Sequence, residues 1–345
     1  MNKFNNAIIV GFGSMGRKHA NYLQSLSKKM VVVDPKISTD PEFVRSIPST
    51  YNQFTSLEKI KLKFNPDDVI VISNWGPDHL ETMKIAVSLG AKQIVLEKPC
   101  VDALNEIEEV KKISINSQVK IVVNQGWYYT KLGVRLNKLS ENYLLGDIVA
   151  IWITGGARCL STAGSHWVSL ANQIYKSNPT QITADGVNNQ LNPRSQKLAY
   201  IEGVFSYTYP EGKRLAINLT NLSSIEGIVE LYWKNAYGII DEENITIKSR
   251  DLMNLTEQIT RYGKPTTLVY EGIIPPLDNF PTSQLQAMYD SFNLNSFTET
   301  YVNLEKHLDT TKTILLSLIS SELKNKIQFN TTIDKKLQSK KFLIS

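Results

Sequence analysis

The sequence predicts an α/β chain in two parts, a doubly wound parallel sheet followed by an α+β domain built on a large, mostly antiparallel sheet. Three observations predict it. A β-α-β unit of about thirty residues opens the chain around the turn Gly11-Phe-Gly-Ser-Met-Gly16. Near-continuous apolar runs then alternate with helical spacing up to residue 123. Beyond that point short segments alternate apolar with polar residues between Pro, Gly and Asn turns.

Ala7-Ile-Ile-Val10 is the first strand, residues 15–26 are helical through Met15, Ala20, Leu23 and Leu26, and Met30-Val-Val-Val33 is the second strand. Val69–Ile72, Gln93–Leu96 and Lys120–Val123 repeat the apolar run, with helices expected at 79–89 and 103–113. Such strands, buried on both faces, build a parallel sheet covered by helices. A helix near 131–143 then leads into the alternating segments Ile148–Ile153, Tyr200–Tyr207, Leu215–Leu219, Gly227–Trp233, Gly238–Asp241 and Thr266–Tyr270. From Phe280 the chain reads as helical again, and Tyr301–Lys324 carries Val302, Leu304, Leu308, Ile314, Leu315 and Leu318 as a closing helix. The expected domains are residues 1–123 and 124–325, with 326–345, which hold five lysines, as a loosely held basic tail.

The bulk properties exclude several classes. A chain of 345 residues that is 42% hydrophobic buries a core large enough for two domains. The net charge of +5, from 38 basic and 33 acidic side chains, is scattered, which argues against nucleic acid and is compatible with an anionic small substrate. Cys100 and Cys159 have no metal-ligand spacing, so neither a zinc site nor a disulfide framework is expected. The N-terminus lacks the apolar core of a signal peptide, and no run approaches the roughly 18 apolar residues of a membrane span. The expected setting is the cytoplasm, without membrane contact, where the Asn-x-Thr triplets at Asn218 and Asn244 carry no glycan.

Gly11, Gly13 and Gly16 have the spacing of a dinucleotide-binding turn, placed where strand meets helix, as in a Rossmann domain. The first glycine permits the tight turn, the second the approach of a pyrophosphate, and the third the packing of helix on strand. The helix beginning near Ser14 presents free N–H groups, so Phe12, Ser14 and Met15 join the glycines as candidate cofactor contacts. Asp34 closes the second strand, where its carboxylate meets the ribose hydroxyls and repels a 2′-phosphate, favouring NAD over NADP. Lys36 is a nearby cation that tempers this preference. A methyltransferase also uses a glycine turn and a post-strand acid, but leaves the later motifs unexplained.

Those motifs are Gly-Phe-Gly-Ser-Met-Gly-Arg-Lys-His19, Ser73-Asn-Trp-Gly-Pro-Asp-His79, Glu97-Lys98-Pro99 and Gly164-Ser-His166. In this order the chain resembles the glucose-fructose oxidoreductase, inositol dehydrogenase and rhizopine-catabolism (Gfo/Idh/MocA) family over roughly residues 5–325, most specifically at Glu97-Lys98-Pro99. The resemblance implies that Asn74, Trp75, Pro77, His79, Glu97, Lys98 and Asn124 line the cofactor cleft, with Gln125 near the nicotinamide end. It also implies that Lys98, at a strand's carboxyl end, binds the substrate hydroxyl and favours its developing alkoxide. Pro99 shapes the backbone after the strand. His166 falls at the family's general acid/base position, and an imidazole of ordinary pKa about 6.5 suits that role.

One departure matters: the family's Asp four residues before the His is Thr162 here, and the acid often found three residues after it is Ser169. An Asp-His relay is therefore absent. His166 and Lys98 suffice, Tyr128 or Tyr129 joins the relay, or dehydrogenase activity has been lost. Trp127 and Tyr128, with Arg158, Thr162, Trp167, Lys98 and His166, complete the expected substrate contacts. His19 reads as structural. The implied activity is hydride transfer between NAD and a secondary alcohol or ketone of a sugar or cyclitol, with a nucleotide-linked or modified sugar of surface-polysaccharide metabolism leading. An NAD-assisted glycoside hydrolase and a cofactor-binding, non-catalytic regulatory subunit are the alternatives. By the same resemblance the second-domain sheet is open-faced and packs on a partner copy, giving a homodimer or homotetramer, with Tyr232 and Trp233 among its exposed aromatics.

Overall fold

A computed structural model of the chain describes residues 3–60, 63–156, 158–188, 192, 195–225, 227–241, 244–250, 265–273 and 282–344. The chain divides into two compact units, Met1–Gln125 with Gln284–Lys312 and Ile333–Ser345, and Gly126–Ser283 with Thr313–Thr332.

The first unit holds β1 (Phe4–Val10), α1 (Ser14–Leu23), β2 (Ser27–Val33), α2 (Pro41–Arg45), β3 (Asn52–Phe54), β4 (Val69–Ile72), α3 (His79–Ser88), β5 (Gln93–Leu96), α4 (Leu104–Ser117) and β6 (Lys120–Val123). The strands form one six-stranded sheet in the order β3-β2-β1-β4-β5-β6, and every pairing is parallel. The order reverses between β1 and β4, which opens a ligand crevice at their carboxyl ends. Val69, Ile70, Val71 and Ile72 are wholly buried, each side chain contributing about 1.5–3 kcal/mol of burial. That is why a four-residue apolar run suffices as a central strand. The first helix ends at Leu23 rather than 26, because β2 begins at Ser27, paired with Phe4. The parallel ladder takes Lys28 and Lys29 into a strand that hydropathy alone starts at Met30.

The second unit holds α5 (Gly126–Thr130), α6 (Leu132–Asn142), β7 (Ile148–Gly156), α7 (Ser165–Tyr175), β8 (Gln181–Val187), β9 (Glu202–Thr208), β10 (Arg214–Thr220), β11 (Ile228–Trp233), β12 (Ala236–Asp241), β13 (Asn244–Arg250) and β14 (Thr266–Ile273). Then come α8 (Thr282–Leu294), α9 (Phe297–Leu323), β15 (Ile327–Gln328) and α10 (Lys335–Gln338). A nine-stranded sheet runs β14-β13-β12-β11-β7-β10-β9-β8-β15, with β7 and β10 parallel and the other pairs antiparallel. Its inner face is buried through Ile151, Ile153, Phe205, Tyr207, Leu215, Ile217, Val229, Leu231 and Trp233. Serines on the second half of α9 satisfy this sheet: Ser317 Oγ lies 3.0 Å from Tyr207 Oη, and Ser320 Oγ accepts from the Ala184 N–H at 3.1 Å. Trp233 Nε1 donates to Ser140 on α6, so Trp233 belongs to the core and not, as expected, to an exposed face.

Three expectations need correction. Whereas the sequence assigns 124–325 to one domain, α8 from Gln284 and α9 to Lys312 lie in the first unit. The tail is not loose: β15 pairs with β8, while Phe342 and Ile344 are buried in the first unit. Strands β3, β8, β13 and β15 are not read from the sequence, and β3 and β15, of three and two residues, are too short to show a period. The expected helix start at Phe280 lies outside the described residues.

His307, wholly buried on α9, is pushed down to about 3 from 6.5, first by burial and then by Lys306. His79 is lowered by burial as well. A base with a depressed folded pKa stays neutral while the unfolded chain takes up a proton, so stability falls as pH drops below about 6.5. His307 alone should cost about 1.4 kcal/mol per pH unit over that window. Urea midpoints between pH 7 and 5 check this: His307→Gln should show a visibly shallower decline than wild type.

Candidate functional site

Gly11, at the carboxyl end of β1, has a φ of +85°. A Cβ there would lie 2.5–2.7 Å from the Ser73–Asn74 backbone, so the turn demands glycine by both conformation and space. A Cβ on Gly16 would stand 2.1 Å from the Gly11 oxygen, which is how closely α1 rests on the turn. Gly13 differs: nothing lies within 4 Å of an added Cβ, and Gly13 and Ser14 are exposed. The amino end of α1 carries neither a side-chain cap nor an acidic residue in its first turn. Unpaired N–H groups and the positive helix end therefore face an open cradle suited to a pyrophosphate.

Asp34 closes one side of this cradle. Its Oδ2 accepts from the Phe12 N–H and its Oδ1 from the Lys36 N–H, both at 2.9 Å. The carboxylate retains lone pairs for ribose hydroxyls. Phe12 contributes only its backbone, because its ring is buried against Phe43 and beneath the Arg17 guanidinium, 4.5 Å from the ring centre. Lys36 is exposed, with its ammonium 5.7 Å from the Phe43 ring. On the other side Ser73 Oγ donates to the Gly11 carbonyl at 2.8 Å, joining the loop after β4 to the turn. Asn74 Nδ2 donates to Thr82 Oγ1, and its buried Oδ1 has no hydrogen-bond partner among the described residues. An open glycine cradle beside an unsatisfied amide oxygen fits a dinucleotide. Trp75 is exposed and Pro77 half-buried. His79 is buried, with Nδ1 2.9 Å from the Pro99 carbonyl and Nε2 3.1 Å from that of Asn74. It sits between two loops, and as a neutral imidazole it donates to one of the two carbonyls.

At the end of β5 the Glu97 side chain turns into a buried network. Its Oε1 receives His19 Nε2 at 2.9 Å and Asn124 Nδ2 at 2.6 Å, His19 Nδ1 lies 2.7 Å from Tyr289 Oη, and Gln284 Nε2 donates to Asn124 Oδ1. An imidazole protonated at Nε2 alone satisfies every partner, since Tyr289 donates to Nδ1. Burial pushes Glu97 up, but the hydrogen bonds from His19 and Asn124 and the neighbouring Lys98 charge bring it below 4.5. Glu97 and Asn124 are thus both held by protein partners. Lys98 follows, half-buried, and the Lys98–Pro99 peptide is cis. The network anchors the backbone from which Lys98 projects. Sequence reasoning missed Gln284 and Tyr289, which sit more than 150 positions from their partners and belong to no motif.

In the second unit a π-helical turn, Leu160–Gly164, feeds α7. Such turns recur at functional sites. Thr162 and His166, four residues apart, are half-buried while Ala163, Gly164, Ser165 and Trp167 are buried, so the two share one accessible stripe. Thr162 Oγ1 donates to the Cys159 carbonyl at 3.3 Å and lies 3.1 Å from its sulfur. This bond closes the turn locally. Trp167 is 6% exposed, which removes it from the expected substrate contacts: one step along the helix from His166, it faces the core. Helix α5 packs on α7, with Gln173 Nε2 donating to the Tyr128 carbonyl at 3.2 Å. Trp127, Tyr128 and Tyr129 on α5 are half-buried, and the Tyr128 and Tyr129 rings meet edge to face at 5.3 Å. Burial raises the Tyr128 hydroxyl above 10, so it stays protonated. Arg158 is half-buried on the segment that pairs with Ile201 through Leu160. Among the described residues no cluster of His, Cys, Asp or Glu can hold a metal ion, and no helix is long and apolar enough to cross a membrane.

Residues 5–125 match the profile of the Gfo/Idh/MocA oxidoreductase family, its NAD-binding Rossmann fold. The resemblance read from the sequence is thereby borne out over these residues. No curated protein matches the chain. Among solved structures, an NAD-binding protein from Listeria innocua is 15% identical with a TM-score of 0.70, over 95% of this chain and 100% of that one. Levoglucosan dehydrogenase in complex with NADH and levoglucosan is 13% identical with a TM-score of 0.68, again over 95% and 100%. A super-repressor mutant of Gal80p from Saccharomyces cerevisiae is 13% identical with a TM-score of 0.68, over 98% and 100%. At these identities the likeness is one of fold.

Proposed function

We propose that this protein is an NAD-dependent oxidoreductase that interconverts a secondary alcohol and a ketone on a sugar, with a nucleotide-linked or modified sugar as the leading class. The observation that carries the reading is the half-buried Lys98, anchored through Glu97 at the carboxyl end of β5 in a sheet whose glycine corner fits a dinucleotide. Gly11, Gly13 and Gly16 with the amino end of α1 would hold the pyrophosphate, Asp34 the ribose, and Asn74, Trp75 and Pro77 the cleft. Asp34 repels a second phosphate on that ribose, which favours NAD over NADP. When bound, the nicotinamide supplies hydride acceptance and return. Lys98 donates a hydrogen bond to the substrate hydroxyl and stabilises negative charge as it develops on that oxygen. His166 takes the hydroxyl proton and returns it in the reverse direction. Trp127 and Tyr128 offer rings to the apolar face of a sugar, and Arg158 offers a cation to a phosphate or carboxylate. Levoglucosan dehydrogenase, similar in fold, binds a sugar with NADH, which supports the substrate class.

Incubation of purified protein with NAD and a panel of free, phosphorylated and nucleotide-linked sugars, read at the absorbance of reduced cofactor, tests the reading. Turnover is expected on at least one sugar. A second reading, a cofactor-binding regulator without catalysis, is favoured by Thr162, whose hydroxyl caps Cys159 where the family carries an acid. Gal80p, described as a transcriptional regulator, shares the fold. Tight NADH binding with no turnover on any sugar and no hydride exchange would select that reading.

The outer face of the nine-stranded sheet exposes Trp152, Val204, Ile228 and Ile239, and the Trp152 and Tyr232 rings lie 4.9 Å apart. Exposed apolar and aromatic side chains on one sheet face can mark an interface even where polar residues such as Glu230, paired with both Trp152 and Ile239, stand between them, and a second copy of the chain is the proposed occupant. Trp152→Glu should reduce the mass measured by light scattering to that of one chain while leaving the circular dichroism unchanged. An unaltered oligomer would refute that placement.

A further inference from the structure

Residues 340–344 do more than end a fold. Three segments of the first unit converge beside the proposed cofactor cleft: the loop 73–79 after β4, the segment 98–102 after β5, and this stretch. The Phe342 N–H donates to the Asp102 carbonyl at 3.1 Å. Lys341 Nζ donates to Asp102 Oδ1 at 2.6 Å and also to Glu106 Oε1, while Glu106 Oε2 accepts from the Asp102 N–H. Asp102 is wholly buried and Glu106 nearly so, so these two carboxyls sit at the start of α4 with the Lys341 ammonium against both. At the other end of the stretch, Ile344 is fully buried, and a Cβ on Gly76 would lie 2.3 Å from the Ile344 oxygen and 3.6 Å from Pro99 Cγ. The stretch thus presses on the junction where the cleft loop meets the residue after Lys98. His79 lies between the same two segments on the inside, with one ring nitrogen at the Asn74 carbonyl and the other at that of Pro99.

We propose that residues 340–344 are a positioning strap: Lys341 and the Ile344 backbone hold the 73–79 loop and the 98–102 segment at the spacing that NAD binding and Lys98 require. Lys341 touches neither cofactor nor substrate in this scheme, and acts through Asp102 and Glu106 on the segment that carries Lys98. An ammonium bound to two buried carboxyls and a backbone approach that only glycine permits are more than a solvent-facing tail needs. The inference rests on the NAD reading above.

Two measurements on the full chain test it. The first is NADH affinity by fluorescence titration at 25 °C. Lys341→Met should weaken it about tenfold, as a small misplacement of binding groups does, and Lys341→Arg should restore it. Gly76→Ala, which displaces the strap from its other end, should weaken it similarly and serves if Lys341→Met does not fold. The second is hydrogen exchange of the cofactor-free protein, with faster exchange in Lys341→Met expected in peptides covering 74–79 and 98–102 and not in those covering β1 or β4. Wild-type affinity in folded Lys341→Met and Gly76→Ala, or unchanged exchange at both segments, overturns the strap while leaving the NAD reading intact. Absence of NADH binding by the wild-type chain overturns both.

Discussion

Lys98→Ala is expected to lower kcat about a thousandfold on whichever sugar the wild-type protein turns over, while NADH affinity stays within a few-fold. The asymmetry follows from where the residue sits. The glycine corner, Asp34 and the Asn74 loop lie on β1, β2 and β4 and are untouched by the substitution, so the dinucleotide contacts persist. What is lost is the cation proposed to meet the developing oxyanion, and such a charge acts mainly in the transition state. Steady-state kinetics together with a fluorescence titration separate the two quantities. Retention of full turnover by Lys98→Ala would remove the proposed site, and an equal loss of cofactor affinity would reassign the lysine to binding.

Glu97→Ala is expected to destabilise the first unit by about 2–4 kcal/mol, because it leaves buried donors without an acceptor at about 1–3 kcal/mol each. Without the carboxylate, His19 Nε2 and Asn124 Nδ2 lose their shared acceptor among groups with almost no solvent access. Chemical denaturation followed by circular dichroism gives the magnitude. The pH dependence carries the sign: Glu97 is held below 4.5 in the fold, so its contribution is present above about 4.5 and lost as pH falls through the lower folded value. Glu97→Gln should flatten that limb below pH 4.5 and leave unaltered the separate decline that His307 and His79 cause below 6.5. Because Glu97 anchors the backbone before Lys98, Glu97→Gln should also reduce kcat more than it weakens NADH binding. A variant as stable and as active as wild type would show that the network neither supports the sheet nor places the lysine.

How much of this was legible beforehand depends on how far apart the interacting residues lie in the chain. The strand, turn and helix around Gly11, Gly13 and Gly16 are set by neighbours within ten positions, and Asp34 follows from the length of one β-α-β unit, so spacing alone places them. The six-stranded parallel sheet follows from apolar runs that tolerate burial on both faces. Glu97-Lys98-Pro99 identifies a strand end for the same local reason. Spacing did not say what the side chains would touch. Glu97, Asn124 and His79 carry the residue types of a binding site, yet the fold engages each with protein partners.

The sequence by itself determined the cofactor corner, the two-sheet architecture and the strand end that carries Lys98, because each is fixed by short-range periodicity and turn chemistry. Tertiary structure alone decided that His19 meets Tyr289 across 270 positions, that Trp167 faces the core while His166 does not, and that a lysine-rich tail folds onto Asp102 and Glu106. In each case the partner is chosen by which buried polar group remains to be satisfied once the sheets have packed, and no local pattern in a sequence records that.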